Sequence, residues 1–223
     1  MKYKASWFPA VFAGLAWIAA ILLYVLPLMG LPRQPWLWGL SLFLPALFLT
    51  ATALLSEQHI FRAPLTICST VLVSIAGIIG ALCLLLFLCV DAAVHPVTDP
   101  KQYERILGLC GYPERESVSA FPPEIPKGAS DVCFSYHFPL LQAGEELSLT
   151  MTLPEEQADR LKAEAEALPD FPSPEYLTKF EFEDAEDGKV WYSYCYKPGD
   201  WNHGELGAVF WKGNTLCYYM EDW

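Results

Sequence analysis

Apolar and polar positions divide the chain into two unlike halves. In the first ninety residues, three stretches run without a charge: Trp7 to Leu28, Trp36 to Ser56 and Leu65 to Val90. A helix that spans a bilayer needs about 20 predominantly apolar residues. Backbone amides in hydrocarbon must bond within their own segment, so the three stretches predict an all-α membrane part of three transmembrane helices. Buried helices of a soluble protein would seldom avoid every charge three times in succession.

The connections agree. Gly30-Leu31-Pro32-Arg33-Gln34-Pro35 is a short proline-bounded turn between antiparallel spans, and residues 57–64 form the polar loop before the third span. Trp7, Trp36 and Trp38 sit at span ends, where amphipathic rings favour the membrane interface. Trp17 lies mid-span, as a packing residue would. Thr50, Thr52, Ser69, Thr70 and Ser74 supply polar content, and their hydroxyls can bond carbonyls of their own helix. Ala76/Gly80 and Gly77/Ala81 place small residues four apart in the third span, which allows close helix approach. Packing among the three helices is the expected use of this seam, with a membrane-protein partner as the alternative.

Beyond Asp91 the periodicities change. Asp99-Pro100 opens a helix with an Asp N-cap and Pro at the first position; Tyr103, Ile106, Leu107 and Cys110 form its stripe, and Gly111 and Pro113 end it. Residues 114–127 read as an ordered, Pro-rich loop. Asp131 to Phe138 and Glu145 to Leu153 alternate apolar and polar residues with period two, predicting two half-buried antiparallel strands. Pro154 to Leu168 predicts a helix, with Ala158, Leu161, Ala165 and Leu168 along one face and Glu155 and Glu156 in its first turn. Lys179–Glu183, Lys189–Lys197, Gly207–Trp211 and Thr215–Asp222 then predict a four-strand meander with turn residues between. The expected fold is a membrane part followed by one α+β domain with a mainly antiparallel sheet. Its divisions are residues 1–90, a linker at 91–98 and the soluble domain at 99–223.

Charge sharpens the division. Residues 1–90 carry four Lys/Arg and one Glu, a net +3, whereas residues 91–223 carry ten Lys/Arg and twenty-five Asp/Glu, a net −15. A surface at −15 repels phosphate backbones, which excludes nucleic acid as a partner, and also repels anionic headgroups. Lys2, Lys4 and Arg62 fall on one side of the predicted spans and Arg33 on the other, although Lys101 and Arg105 reduce the asymmetry. The positive-inside rule then predicts a multi-pass plasma-membrane protein with a cytoplasmic N-terminus and an extracytoplasmic acidic domain. The spans hold no ionisable residue, which argues against a self-contained pump or coupled transporter.

Candidate chemistry is sparse. Ser119, Ser135 and Ser193 lie in no nucleophile elbow, and no phosphate-binding glycine loop occurs. The acidic run Glu183–Gly188 departs from a calcium loop at Ala185 and at Tyr194, where the pattern needs an acid. His95, His137 and His203 have no metal-ligand spacing, so no metal or cofactor is expected. Cys110, Cys133, Cys195 and Cys217 allow three disulfide pairings, which the sequence leaves open; free thiols are the expectation in a core of this size. One aromatic-rich segment stands out: Tyr192, Tyr194 and Tyr196 share a strand face, with Trp201 and His203 nearby. These five are the candidate ligand or partner surface, although aromatics also build cores.

The stretch Phe121-Pro122-Pro123-Glu124-Ile125-Pro126-Lys127-Gly128-Ala129 carries a family resemblance. So do Val132 to His137, Leu141-Gln142, Leu147 to Leu149, Leu153-Pro154-Glu155, Gly207 to Phe210 and Leu216 to Trp223. Residues 120–223 resemble a family of Gram-positive bacterial membrane proteins and lipoproteins of unknown function; the resemblance covers none of the membrane part and implies no activity. The expected function is a non-enzymatic binding or sensing domain on a three-helix anchor. An accessory subunit of a membrane complex and a membrane-anchored hydrolase are the alternatives.

Overall fold

The computed structural model describes residues 7–32, 36–139, 144–169, 171, 185–195 and 203–223. It divides into two compact units, Met1–Asp91 and Ala92–Trp223.

The first unit is helical. Helix α1 spans Trp7–Gly30, α2 is a single turn at Trp36–Gly39, α3 spans Leu44–Glu57 and α4 spans Ala63–Val94. Three stretches, Trp7–Leu26, Leu37–Glu57 and Ala63–Val94, are long and apolar enough to cross a membrane. The second is not one regular helix, because Leu40–Phe43 forms a 3₁₀ turn between α2 and α3. Pro45 explains the break. It has no N–H to offer the carbonyl of Ser41, which instead accepts from the amide of Leu44 in a tighter turn. The third helix outruns its predicted limits of 65 and 90. Its 32 residues, at 1.5 Å rise each, make a rod of about 48 Å against a hydrocarbon core of about 30 Å.

Helices α1 and α3 pack as an antiparallel pair. Mid-span, the Trp17 indole donates to Thr50 Oγ1 at 3.2 Å while its ring meets Phe43, so this residue packs as expected. The hydroxyls of Thr50, Thr52 and Thr70 return to the carbonyls of Ala46, Phe48 and Thr66, four residues back. Each thereby satisfies itself without needing water. On α4, a Cβ at Gly77 would strike the Pro45 ring, whereas one at Gly80 would meet open space. One edge of the small-residue seam is therefore used within the chain, as expected, and Ala76 and Gly80 remain exposed.

The second unit is α+β. After a short 3₁₀ turn come α5 (Tyr103–Leu109), β1 (Ser130–His137), β2 (Glu145–Thr152), α6 (Glu155–Glu166), β3 (Asp187–Cys195), β4 (Gly204–Lys212) and β5 (Thr215–Asp222). The Asp99 carboxylate caps the turn at Pro100–Gln102 by accepting from the Lys101 amide. All strand pairs are antiparallel, in the order β1-β2-β5-β4-β3, so the hairpin β1-β2 and the meander β3-β4-β5 join through β2 and β5. The predicted strand at 179–183 lies outside the described residues.

Register explains the core. Phe134, Leu149, Tyr218 and Val209 are successive partners across four strands, as are Tyr136, Leu147, Met220 and Gly207. Alternation puts these rows on one face, where they pack with Tyr103, Ile106 and Leu107 of α5 and Ala158, Leu161 and Ala165 of α6. Val190, Leu206, Ala208, Phe210 and Tyr219 form a smaller cluster on the reverse face. Strand β4 is thus apolar on both sides, which is why it reads as a continuous hydrophobic run rather than as an alternation.

Gly207 has a specific task. A side chain there would land on the Ser117 carbonyl oxygen and the Trp191 ring, so glycine lets the 116–118 turn lie directly on the sheet. Gly207→Ala is expected to destabilise the domain by about 2–3 kcal/mol, because neither the backbone nor a buried indole can move aside freely. Chemical denaturation of the full-length protein in detergent, followed by near-ultraviolet circular dichroism, measures this.

A proline-walled groove and an arginine bridging three carboxylates

Two features of the second unit gather polar side chains. The first lies at one end of the inner sheet face, where Glu145, Asp222 and Glu205 are direct cross-strand partners on β2, β5 and β4. Like charges directly opposite one another destabilise a sheet. Arg115, from the loop after α5, spans all three. Its Nη1 donates to Glu145, its Nε to Glu205, and its Nη2 to Asp222 Oδ2 at 2.9 Å. Ser117 Oγ adds a bond to Glu205, and Tyr136 OH donates to Glu145 Oε1 at 2.7 Å.

Burial alone would lower the affinity of the Arg115 guanidinium for its proton, but hydrogen bonds to Glu145 and Glu205 reverse this and raise it. Asp222 shifts the other way from a simple ion-paired carboxylate. Burial raises it, the Glu205 and Glu145 charges add to that, and Arg115 offsets only part. Burial likewise raises Glu221 on the same strand. Among the described residues no set of three or more His, Cys, Asp or Glu side chains is arranged to hold a metal. The guanidinium already occupies the middle of this carboxylate row, and the arrangement secures the 110–118 loop to three strands at once.

The second feature is a groove of about 650 Å³ between α6 and the loop 119–127. This is within the usual size of a ligand site. Three prolines, at 122, 123 and 126, form one wall, and Gln157, Leu161 and Leu168 belong to the other. Gln157 also holds the two walls together by donating to the Lys127 carbonyl at 3.1 Å. Tyr103 OH fixes the proline wall from beneath with a 2.6 Å bond to the Pro122 carbonyl. Phe121 and Tyr218 make the floor, each 2% exposed, with ring centroids 5.5 Å apart.

Charges stand at the rim in both signs: Lys127 and Glu124 on the loop, Arg160 and Glu164 on the helix. The last two pair at 3.7 Å with both side chains largely exposed. Among the described residues no histidine lines the groove, and the Ser119 hydroxyl donates to the Glu116 carbonyl of its own turn.

Of the aromatic surface expected from sequence, Tyr194 is the cross-strand partner of Glu205, next to the carboxylate row, and none of its described members lines the groove. Tyr192 is half-buried on β3, packs against the main core and meets the Phe171 ring at 6.3 Å. Tyr194 is exposed on the same strand, and His203 is exposed just before β4. Tyr196 and Trp201 lie outside the described residues. Their neighbours Trp191, Trp211, Tyr218 and Tyr219 are buried. A bulge between Val190 and Tyr192 turns Trp191 inward, where its indole donates to the Glu116 carbonyl at 3.0 Å. Cys110 and Cys133 carry free thiols, Cys133 exposed and Cys110 buried.

These features define a class: a multi-pass membrane protein by its three helices, carrying an α+β domain with a grooved inner face. Comparison with protein-family models, with curated proteins and with solved structures returned no match.

Proposed function

We propose that the chain displays a non-enzymatic binding or sensing domain outside the cell, anchored by its three spanning helices, and that the groove between α6 and the 119–127 loop is its binding site. The groove carries this reading. It is a concavity of ligand size, with an apolar floor and polar groups at its rim. The sidedness is supported by the sequence pattern, in which Lys2, Lys4 and Arg62 precede or follow the spans on one expected side and Arg33 on the other. The resemblance of residues 120–223 to Gram-positive membrane proteins and lipoproteins belongs to the same proposal.

Cys133 gives the test of sidedness, because its thiol is free and exposed. With the other cysteines replaced by serine or alanine, a membrane-impermeant maleimide should label Cys133 in intact cells. Labelling that occurs only after lysis would place the domain in the cytoplasm and overturn the arrangement.

A second reading, an accessory subunit of a membrane complex, draws on α4. Only 6% of its spanning window is buried, against 33% for the span that ends in α3. Purification from native membranes in mild detergent as a lone monomer would count against it.

A further inference from the structure

The membrane part holds a polar atom that its own fold leaves unpaired. Thr50, Thr52 and Thr70 return their hydroxyls to carbonyls four residues back, and Thr66 reaches both Ser56 and Arg62. Ser74, one turn beyond Thr70 on α4, does neither. Its Oγ is covered by protein and bonded to nothing, alone in this among the described residues. A helical serine has a carbonyl four residues back within reach, so an oxygen left without it in hydrocarbon points to a use elsewhere.

Ser74 borders a cavity of about 250 Å³ between α1, α3 and α4. The space exists because alanine or glycine stands at 16, 19, 20, 77 and 81, and the close approach of Gly77 to Pro45 sets one edge. Ala20, Leu42 and Leu49 are buried at its floor. Leu15 and Ile78, at its mouth, are 59% and 62% exposed, so it opens toward lipid.

Depth and lining narrow the occupant. The lining positions run over 12–23, 42–49 and 74–81, the middle of each predicted span. Phospholipid ester oxygens lie at the edge of the hydrocarbon core, about 15 Å from its midplane and out of reach of Ser74. Water fits poorly, because it needs about two to four polar partners and Ser74 is the one polar side chain among the lining residues. A cavity of about 150 Å³ admits a benzene ring, so this one has room for about ten heavy atoms. A carbonyl is satisfied by the single hydroxyl donor, whereas an alcohol brings a further O–H that needs its own acceptor. Serine turns among staggered rotamers at little cost, so the covered oxygen can swing toward a group lodged beside it.

We propose that the membrane part binds a lipophilic ketone or aldehyde dissolved in the bilayer, its hydrocarbon body against Leu15, Leu49 and Ile78 and its carbonyl accepting from Ser74. The assignment is independent of the groove on the acidic domain.

The test uses the full-length protein in phosphatidylcholine nanodiscs, a diazirine-bearing decanone as photolabel, and mass spectrometry to find the labelled residues. Labelling should saturate and fall on the lining residues of α1 and α4. At equal mole fraction in the bilayer, 2-decanone should compete about fivefold more effectively than decane, the worth of one hydrogen bond. Ser74→Ala should abolish that preference and leave the thermal midpoint unchanged or raised, since the oxygen has no partner in the fold. Filling the cavity from either side, with Ala19→Leu or Ala81→Leu, should suppress the labelling while the near-ultraviolet spectrum is retained.

No saturable labelling, or labelling that both filling variants leave intact, would overturn the site. Equal competition by decane and 2-decanone, or a preference that survives Ser74→Ala, would overturn the carbonyl assignment.

Discussion

Raising the pH from 8 to 11 should unfold the acidic domain, with a loss of several kcal/mol concentrated above pH 9. Four buried protons are responsible. Burial is the largest cause raising the Cys110 thiol above its usual 9.0 and the phenols of Tyr103, Tyr136 and Tyr218 above their usual 10.0. Negative neighbours add to it; Glu145 acts on both Cys110 and Tyr136.

The sign follows from proton counting. In this range the folded chain keeps protons that the unfolded chain releases, so stability is fully present below about pH 9 and falls as pH rises. Each group contributes about 1.4 kcal/mol per pH unit once above its unfolded value. Unfolding free energies at stepped pH, read by near-ultraviolet circular dichroism, should steepen toward four protons. Tyr218→Phe should remove one of the four. A flat profile to pH 11 would mean that these groups are not buried as described.

Arg115→Ala should destabilise the domain by about 3 kcal/mol at pH 7, the lower end of what breaking a buried ion pair costs, because the site is partly hydrated. The substitution leaves Glu145, Asp222 and Glu205 side by side with nothing between them. Lysine should recover only part of the loss, since a point charge cannot match a guanidinium that donates to three carboxylates through three nitrogens.

The deficit should also shrink on acidification. Asp222 is already raised in the intact protein, and without Arg115 the row would hold protons still more firmly. A carboxyl raised by folding stabilises the fold below its unfolded value and loses that contribution as pH rises. Denaturation of wild type and variant at pH 7 and pH 5 measures the difference, and an equal deficit at both would rule out carboxylate repulsion as the cause.

The two features differ from the rest of the fold in how far the sequence reveals them. Strands β1, β2 and β5 and helix α6 are legible because one face of each is buried, so apolar residues recur at the period of the element. The spans are legible because lipid imposes length and composition together. The 3₁₀ turn at Leu40–Phe43 is hidden, since hydropathy does not register the missing N–H of Pro45.

The arginine cluster joins positions 115, 145, 205 and 222, which only strand pairing brings together. It nevertheless leaves a trace. Glu145 is in phase with Leu147, Leu149 and Met151, Asp222 with Met220 and Tyr218, and Glu205 with Val209 and Trp211. An acid that keeps step with buried residues must meet a cation or a proton. The groove leaves less, because the Pro-rich loop signals order without saying what it lies against. The aromatic-rich segment misleads in part, since the bulge at Trp191 places successive aromatics in different environments.

The sheet order also governs how this domain is made. Strand β5 is the last of the five in sequence yet sits in the centre, bonded to β2 and β4 along its length. Until residue 215 and those after it are available, the β1-β2 hairpin exposes one open edge and the β3-β4 hairpin another. Neither has a neighbour to complete the main core. The ribosome therefore delivers two unfinished halves and the piece that joins them afterwards, so assembly is a late, long-range event and the interval before it is when the chain is most exposed to mispairing.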